Sequence, residues 1–142
     1  MKIKLYVLCL PALMLCFYAC KKVDGVANGK IEILGKWNVV SDSSNIGVGI
    51  GNHSVDYTGK PGDYFDFRSD GHVYTKENEV LDTLDYSMIS NTKIVISQFD
   101  VILNGQAQTS TITNFTSHSL EIAAPREITP GGVFGRSVKL SR

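Results

Sequence analysis

The histidines are the residues of this chain best suited to metal or acid–base chemistry. His53 lies in a glycine-rich segment, His72 follows a predicted hairpin turn, and His118 lies in another turn. None of the three has a second histidine or a cysteine at ligand spacing. His53 and Asp56 form a faint metal-like pair, for which a solvated loop is the simpler interpretation. The histidines therefore predict no metal site.

Carboxylates, serines and glycines also lack the context that catalysis needs. Asp63 and Asp66 lie on opposite faces of a predicted strand, so they do not form an acid–base pair. No serine stands in a Gly-x-Ser-x-Gly motif. The glycine cluster 47–51 is not followed by the Lys-Ser/Thr of a phosphate-binding loop. We predict no catalytic residue, no cofactor and no enzymatic activity.

The first twenty residues, MKIKLYVLCLPALMLCFYAC, have the pattern of an export signal that ends at a cysteine. Lys2 and Lys4 form a positive n-region, and residues 5–19 form an apolar stretch short for a bilayer core about 30 Å thick. The ending resembles a bacterial lipoprotein box, in which a peptidase cuts before the cysteine and the new N-terminus is acylated. We predict a signal peptide over 1–19 and lipidation of Cys20. An ordinary secretory signal or an uncleaved anchor is the alternative.

Cysteine content and charge predict an exported domain without disulfides and without a nucleic-acid-binding surface. Cys9 and Cys16 lie in the signal, so after cleavage only Cys20 remains and the domain has no disulfide. Two of the 14 basic side chains lie in the n-region, which leaves 12 against 14 acidic ones. No like-charge run exceeds the pair Lys21–Lys22, so nucleic acid binding is not predicted.

Period-two alternation dominates the rest of the chain. Residues 20–30 are polar and glycine-containing, and we predict a lipidated N-terminus with a flexible tether. Residues 31–142 are predicted to form one all-β domain, an up-and-down antiparallel β-barrel of about eight strands, which leaves no open sheet edge. A single helical turn over Ile31–Leu34 is expected to lead into the first strand. The predicted strands are Trp37–Asp42, Asp63–Arg68, His72–Lys76, Thr83–Ile89, Lys93–Ser97, Gln106–Phe115, Ser119–Ala123 and Val133–Leu140.

Two hairpins have a register that their own side chains select. The three-residue turn Ser69-Asp70-Gly71 is typical of a hairpin connection. An odd loop at Ser90-Asn91-Thr92 keeps apolar residues opposite one another, whereas a two-residue loop would place Met88 opposite Lys93. The predicted pairs are Phe67 with Val73, Phe65 with Thr75, Met88 with Ile94, and Tyr86 with Ile96.

The segment Ser43–Gly62 admits two interpretations. It contains five glycines in 20 residues, and it also carries apolar side chains such as Ile46, Val48 and Ile50. A lid or partner-binding loop over the barrel mouth fits these properties. An irregular extension of the first strand fits them equally.

The Gly35-Lys36-Trp37 motif resembles the Gly-x-Trp that opens the first strand of lipocalins and of bacterial lipocalin-like lipoproteins. The later segments FDFRSDGHVY, LDYSM, TKIVIS, SHSLEI and VKLSR are similar to that bacterial family in their order and spacing. The resemblance spans residues 35–142. It implies a ligand-binding or structural barrel, without enzymatic activity. It also implies that Trp37 packs across the closed end, under Arg142 or Arg136 of the last strand.

The predicted interior is bulky and leaves room for a small pocket near the open end. An eight-stranded barrel is just wide enough to be filled by side chains or to hold one small ligand. The residues predicted to face inward are Trp37, Phe65, Phe67, Val73, Leu84, Tyr86, Met88, Ile94, Ile96, Ile112, Leu120, Ile122, Val138 and Leu140. Among them, Phe67, Tyr86, Met88 and Ile96 are the candidate ligand contacts, while Gly35, Trp37 and Arg142 have structural roles.

Two functional interpretations follow from the sequence. The leading one is a lipid-anchored binding protein of a Gram-negative cell envelope, held by its lipid in the outer membrane, whose barrel holds a small apolar ligand. The alternative is a structural or interaction lipoprotein, with a filled barrel whose loops contact an envelope partner or glycan. The volume of the internal cavity distinguishes them, because a void of roughly 300 Å3 or more favours a ligand site.

Overall fold

The computed structural model describes residues 26–27, 30–100 and 107–142. The predicted signal peptide, Cys20 and much of the predicted tether lie outside these residues, so lipidation and cleavage stay predictions. Within the described ranges, no helix is both long and apolar enough to cross a membrane.

The described residues form twelve β-strands and one 3-10 turn at Gly49–Gly51. Apolar and polar side chains alternate along barrel strands such as β5 and β6. The strands are β1 (Val26–Ala27), β2 (Lys30–Ile31), β3 (Gly35–Ile46), β4 (His53–Thr58), β5 (Tyr64–Phe67), β6 (His72–Glu77), β7 (Val80–Ser90), β8 (Lys93–Ile96), β9 (Thr109–Thr113), β10 (Ser119–Ala123), β11 (Glu127–Thr129) and β12 (Gly132–Ser141). Strands β1 and β2 pair only with each other in the described chain.

Eight of these strands close into a barrel. Strands β3, β5, β6, β7, β8, β9, β10 and β12 pair antiparallel in that order, and β12 pairs back with β3. The predicted fold class, an up-and-down antiparallel barrel of eight strands, is confirmed. The residue pairs predicted for both hairpins are also confirmed, since Phe67 lies opposite Val73 and Tyr86 lies opposite Ile96. The second turn differs from the prediction, because Ser90 pairs with Lys93 and a shift in register after Met88 keeps the apolar pairs opposite one another.

One apolar cluster fills most of the barrel. All of the predicted inward residues belong to it except Tyr86, which is half-buried and packs against it, and Met88. Met88 is 38% exposed, which corrects its predicted burial. It lies opposite buried Ile94, but the pairing of β7 with β8 shifts register directly after it, so the sheet no longer covers its side chain. The cluster also includes Ile33, Val39 and Phe99.

The closed end of the barrel is built around Trp37, which is fully buried. Its indole Nε1 donates a hydrogen bond of 2.7 Å to the carbonyl of Ile33. The guanidinium of Arg142 lies 4.0 Å from the centre of the indole ring, and it also donates to the carbonyls of Leu34 and Ser117. Of the two arginines that the resemblance offered for this position, the structure places Arg142 there.

The predicted helical turn over Ile31–Leu34 is wrong. β2 ends at Ile31, and residues 32–34 have no regular secondary structure. Their carbonyl groups, which a helical turn would use internally, accept hydrogen bonds from the side chains of Trp37 and Arg142. Gly35 then starts β3 with φ 105°, a left-handed conformation that favours glycine.

The segment Ser43–Gly62 contains the last four residues of the first strand, the 3-10 turn and the separate strand β4. The second half of β3 pairs with β4 on one side and with β12 on the other, and the start of β12 pairs with β11. The four strands β11, β12, β3 and β4 thus continue past the barrel strands beside them. The Asn52 side chain holds the turn between β3 and β4, because its amide donates to the Val133 carbonyl at 2.8 Å and its oxygen accepts from the Val133 amide at 3.0 Å. The lid interpretation is not supported.

Candidate functional site

A cavity of about 250 Å3 lies inside the barrel, towards the end away from Trp37. Its apolar floor is formed by Phe65 and Leu84, which are both buried. Exposed Val80 and Gln98 form its rim. The walls are polar and consist of Thr75, Glu77, Asp82 and Arg136. The cavity therefore combines an apolar base with hydrogen-bonding groups near its mouth.

Strand register brings the cavity residues together. Phe65 lies opposite Thr75, and Thr75 in turn lies opposite Asp82. Glu77 and Val80 face each other at the end of the β6–β7 hairpin. Because directly opposite residues share one face of a sheet, all of these side chains lie on the inner face. The inner-face side chains of β6 are Val73, Thr75 and Glu77, and they change from apolar to polar towards the open end. This alternation is the feature of the sequence that indicates Thr75 and Glu77 as cavity residues.

Arg136 joins two carboxylates beside the cavity. Its Nη2 lies 2.5 Å from Oδ2 of Asp42 and 2.6 Å from Oε2 of Glu77, and its Nε lies 2.8 Å from the same Asp42 oxygen. The guanidinium also lies 4.9 Å from the centre of the Phe99 ring. These contacts keep Arg136 largely buried, so it is held in position before any ligand enters.

Glu77 is the most perturbed acid of the site. Its pKa is raised to about 7, chiefly by burial; the Arg136 guanidinium lowers the pKa, and the neighbouring Asp42 carboxylate raises it. Its Oε2 is paired with Arg136, while its Oε1 is buried and has no hydrogen-bond partner among the described residues. Near neutral pH this group is therefore able to bind or release a proton.

Asp63 is a buried carboxylate with a structural role. It accepts hydrogen bonds from the Tyr57 hydroxyl, from the Lys60 amide at 2.7 Å and from the Asn78 amide at 3.0 Å. The bond from Tyr57 is the main cause that lowers the pKa of Asp63, and the Lys60 amide adds to it. Asp63 thereby ties together two loops of the open end. Asp66 instead pairs with Arg68 on the outside, so the two carboxylates do not meet.

The four predicted ligand contacts do not line this cavity. Phe67 and Ile96 are buried in the filled part of the barrel. Tyr86 packs edge-on against Phe67 with ring centres 5.1 Å apart, and its hydroxyl donates to the Arg68 carbonyl at 2.8 Å. Met88 is exposed. These residues lie towards the closed end, because β7 runs from the open end to the closed end as its numbering increases.

The histidines are not brought together. The ring Nδ1 of His53 lies 2.7 Å from the Gly51 carbonyl, and His72 lies beside Asp85 with 3.2 Å between Nε2 and Oδ1. His118 is exposed in the turn between β9 and β10. Across the part of the chain that the structure describes, no three His, Cys, Asp or Glu side chains are grouped so that they could hold a metal ion.

An open groove of about 500 Å3 lies along β5, β6 and β7, and two of the residues that line it, Thr75 and Asp82, also line the cavity. Tyr64, Tyr74, Leu81 and Thr83 line it from strand positions that point away from the interior. The Lys36 ammonium lies 4.0 Å from the centre of the Tyr64 ring, and the Arg68 guanidinium lies 4.6 Å from the centre of the Tyr74 ring. The groove is a second concave surface, with aromatic and cationic character.

Comparisons with models of protein families, with curated proteins and with solved structures found no match to this chain. The resemblance to lipocalin-like lipoproteins therefore rests on the sequence motifs. The eight-stranded antiparallel barrel is consistent with it.

Proposed function

We propose that this protein is a lipid-anchored binding module of the bacterial cell envelope, with a lipocalin-like barrel that takes a small ligand in its open-end cavity. The observation that carries the proposal is the make-up of that cavity. A buried apolar floor with a few convergent polar groups is the usual pattern of small-molecule sites. The leader that ends at Cys20 supports the anchored location.

The size and lining of the cavity define the kind of ligand. Its volume of about 250 Å3 is below the roughly 300 Å3 that would by itself favour a ligand site over a filled barrel, so the proposal rests on the lining of the cavity, and the ligand must be small. Its apolar part would rest on Phe65 and Leu84. Its other end would meet the carboxylates of Glu77 and Asp82, which accept hydrogen bonds. We therefore propose a ligand with a donor group at one end, in place of a wholly apolar one.

Native mass spectrometry of the protein purified from its own host tests this function. Val80 and Leu81 are matched positions, because they are adjacent and 67% and 68% exposed, yet Val80 is at the cavity rim and Leu81 points outward. Val80→Trp should block the mouth and abolish the retained mass. Leu81→Trp should keep it. Retention of the ligand by Val80→Trp would contradict the proposal.

A second candidate function is an interaction module that binds an envelope partner or a glycan. The filled interior and the outer groove favour it, since tyrosine rings supply rigid, amphipathic contact area. The same two variants distinguish the candidates. Loss of a bound molecule in Leu81→Trp, with retention in Val80→Trp, would assign the binding to the outer groove.

A further inference from the structure

β4 is an edge strand of the sheet formed by the described residues. It pairs with β3 along one side, and no described strand pairs with its other side. Such an edge presents a row of N–H and C=O groups to any extended chain that can pair with it. This surface lies outside the cavity, so an inference from it goes beyond the proposed function.

The two edges of the described barrel sheet differ in how they are protected. β11, at the opposite edge, has three residues and is bracketed by Pro125 and Pro130, which cannot donate to a ladder. β4 has six residues and contains no proline, no lysine and no bulge, and its one carboxylate, Asp56, accepts a hydrogen bond from the Ser43 hydroxyl of β3 at 2.6 Å. Proteins commonly blunt their edges with such features. β4 therefore has the form of an edge that is open to pairing.

The side chains of β4 are exposed but held on an ordered hairpin. Val55 is 42% exposed, and Ser54 and Asp56 are exposed beside it. The turn before β4 is fixed by the Asn52 side chain and by a hydrogen bond of 2.6 Å from the Gly49 amide to the Gly131 carbonyl. An edge that is already ordered loses little conformational entropy on pairing.

We propose that β4 pairs antiparallel with β4 of a second copy of this chain, about a two-fold axis at Val55. The two barrels are then joined by a sheet that runs through both extensions. A two-fold interface uses the same surface patch on both copies, so the strand must be complementary to itself.

Of the two registers that pair five residues of β4, one satisfies that condition without opposing like charges. Opposite residues must lie on the same face, which leaves only registers that place one residue opposite itself. With Val55 at the axis, Val55 lies opposite Val55 of the second copy, His53 lies opposite Tyr57, and Ser54 lies opposite Asp56. Moving the axis one residue towards the C-terminus places Asp56 opposite Asp56, which is repulsive.

Disulfide formation through Val55→Cys tests the axis. Opposite residues of antiparallel strands have Cα atoms about 4.5–5.5 Å apart, within the range of about 4.4–6.8 Å that disulfides span. Cells that produce the full chain are oxidised and examined by non-reducing electrophoresis. The control is Ile128→Cys on β11, where the native side chain is 77% exposed. The unsubstituted chain reports any cross-link through native cysteines.

We expect a band of twice the monomer mass for Val55→Cys and its absence for both controls. Equal cross-linking of the two variants, no cross-link in either, or a Val55→Cys adduct of another mass would overturn the proposal. A second measurement uses the detergent-solubilised full chain in sedimentation. Val55→Lys, which places two cations at the axis, should give the monomer, and Ile128→Lys should leave the dimer. A dimer that survives Val55→Lys would also overturn it.

Discussion

At each end of the barrel, one arginine near the end of the chain fixes the neighbouring strands. Arg142 covers the Trp37 indole at the closed end, and Arg136 bridges Asp42 and Glu77 at the open end. Arg136 lies within β12, whereas Arg142 directly follows its last residue. The environments differ, because Arg142 binds backbone carbonyls while Arg136 binds carboxylates.

Replacing Arg142 with Met should destabilise the domain. The variant keeps the length of the side chain but loses the charge-assisted hydrogen bonds to the Leu34 and Ser117 carbonyls and the contact with Trp37. We expect a loss of about 1–2 kcal/mol in the free energy of unfolding. Urea unfolding followed through Trp37, the single tryptophan of the chain, measures it. Exposed Lys139→Met in β12 is the control, and an equal effect of both variants would contradict the role of Arg142.

The protonation of Glu77 should make stability depend on pH. Its pKa is about 7 in the folded protein against 4.5 as the ordinary value, so the folded state holds a proton that the unfolded chain has released between these values. The resulting stabilisation is complete below pH 4.5 and is lost as the pH rises through about 7. Asp63 does not interfere, because its lowered pKa acts at more acidic pH.

Glu77→Gln should therefore flatten this dependence. Glutamine stays neutral, so the fall in unfolding free energy between about pH 5 and pH 8 should shrink. Denaturation curves at a series of pH values measure the fall. The matched control is the neighbouring exposed residue, Glu79→Gln, which should keep the slope of the original protein. An unchanged slope in Glu77→Gln would show that another group causes it.

At the scale of elements, the path of the chain from β4 to β5 depends on one close approach. Gly59 donates its amide to the Val40 carbonyl at 3.0 Å, beside the irregularity in the pairing of β3 with β12. A Cβ on Gly59 would lie far inside contact distance of the Val39 carbonyl oxygen. Only glycine fits here without movement of the backbone, and this keeps the loop after β4 against the barrel.

Gly59→Ala should cost about 1–3 kcal/mol of stability, as overpacking usually does. Gly51→Ala is the matched control, because no atom lies within 4 Å of its added Cβ and its φ is not in the left-handed region. That variant should stay within about 0.5 kcal/mol of the original protein. Thermal unfolding of both compares them directly. Equal melting temperatures would mean that the backbone yields at Gly59 without cost.

At the scale of the whole molecule, the start of the barrel and its cavity lie at opposite ends. The chain enters β3 at the closed end beside Trp37, whereas the cavity opens at the other end.

Cys20→Ser should move the protein from the membrane fraction to the soluble fraction, since serine does not accept the lipid that the leader motif predicts. Cell fractionation followed by immunoblotting measures this distribution. Cys16→Ser, inside the predicted signal, is the control and should leave the protein with the membrane. If both variants stay there, the proposed lipidation is wrong.

The sequence alone determined the eight barrel strands in outline and the residue pairs of two hairpins. Period-two alternation is a local property, and the requirement that apolar residues meet across a hairpin fixed pairs such as Phe67 with Val73. The Gly-x-Trp motif also drew attention to Trp37, which the structure buries completely. These features depend on residues close together in the chain.

Only the tertiary structure decided which charged groups meet. Asp42 and Glu77 are separated from Arg136 by 94 and 59 positions, and barrel closure brings them together. Strict period two along β3 would put Ser41 on the face of Trp37, but the shift in pairing of β3 with β12 reverses the alternation and buries Asp42 instead. The predicted ligand contacts lie outside the lining of the open-end cavity for a similar reason. Periodicity gives the face of a residue, whereas the packing of all eight strands decides where space is left.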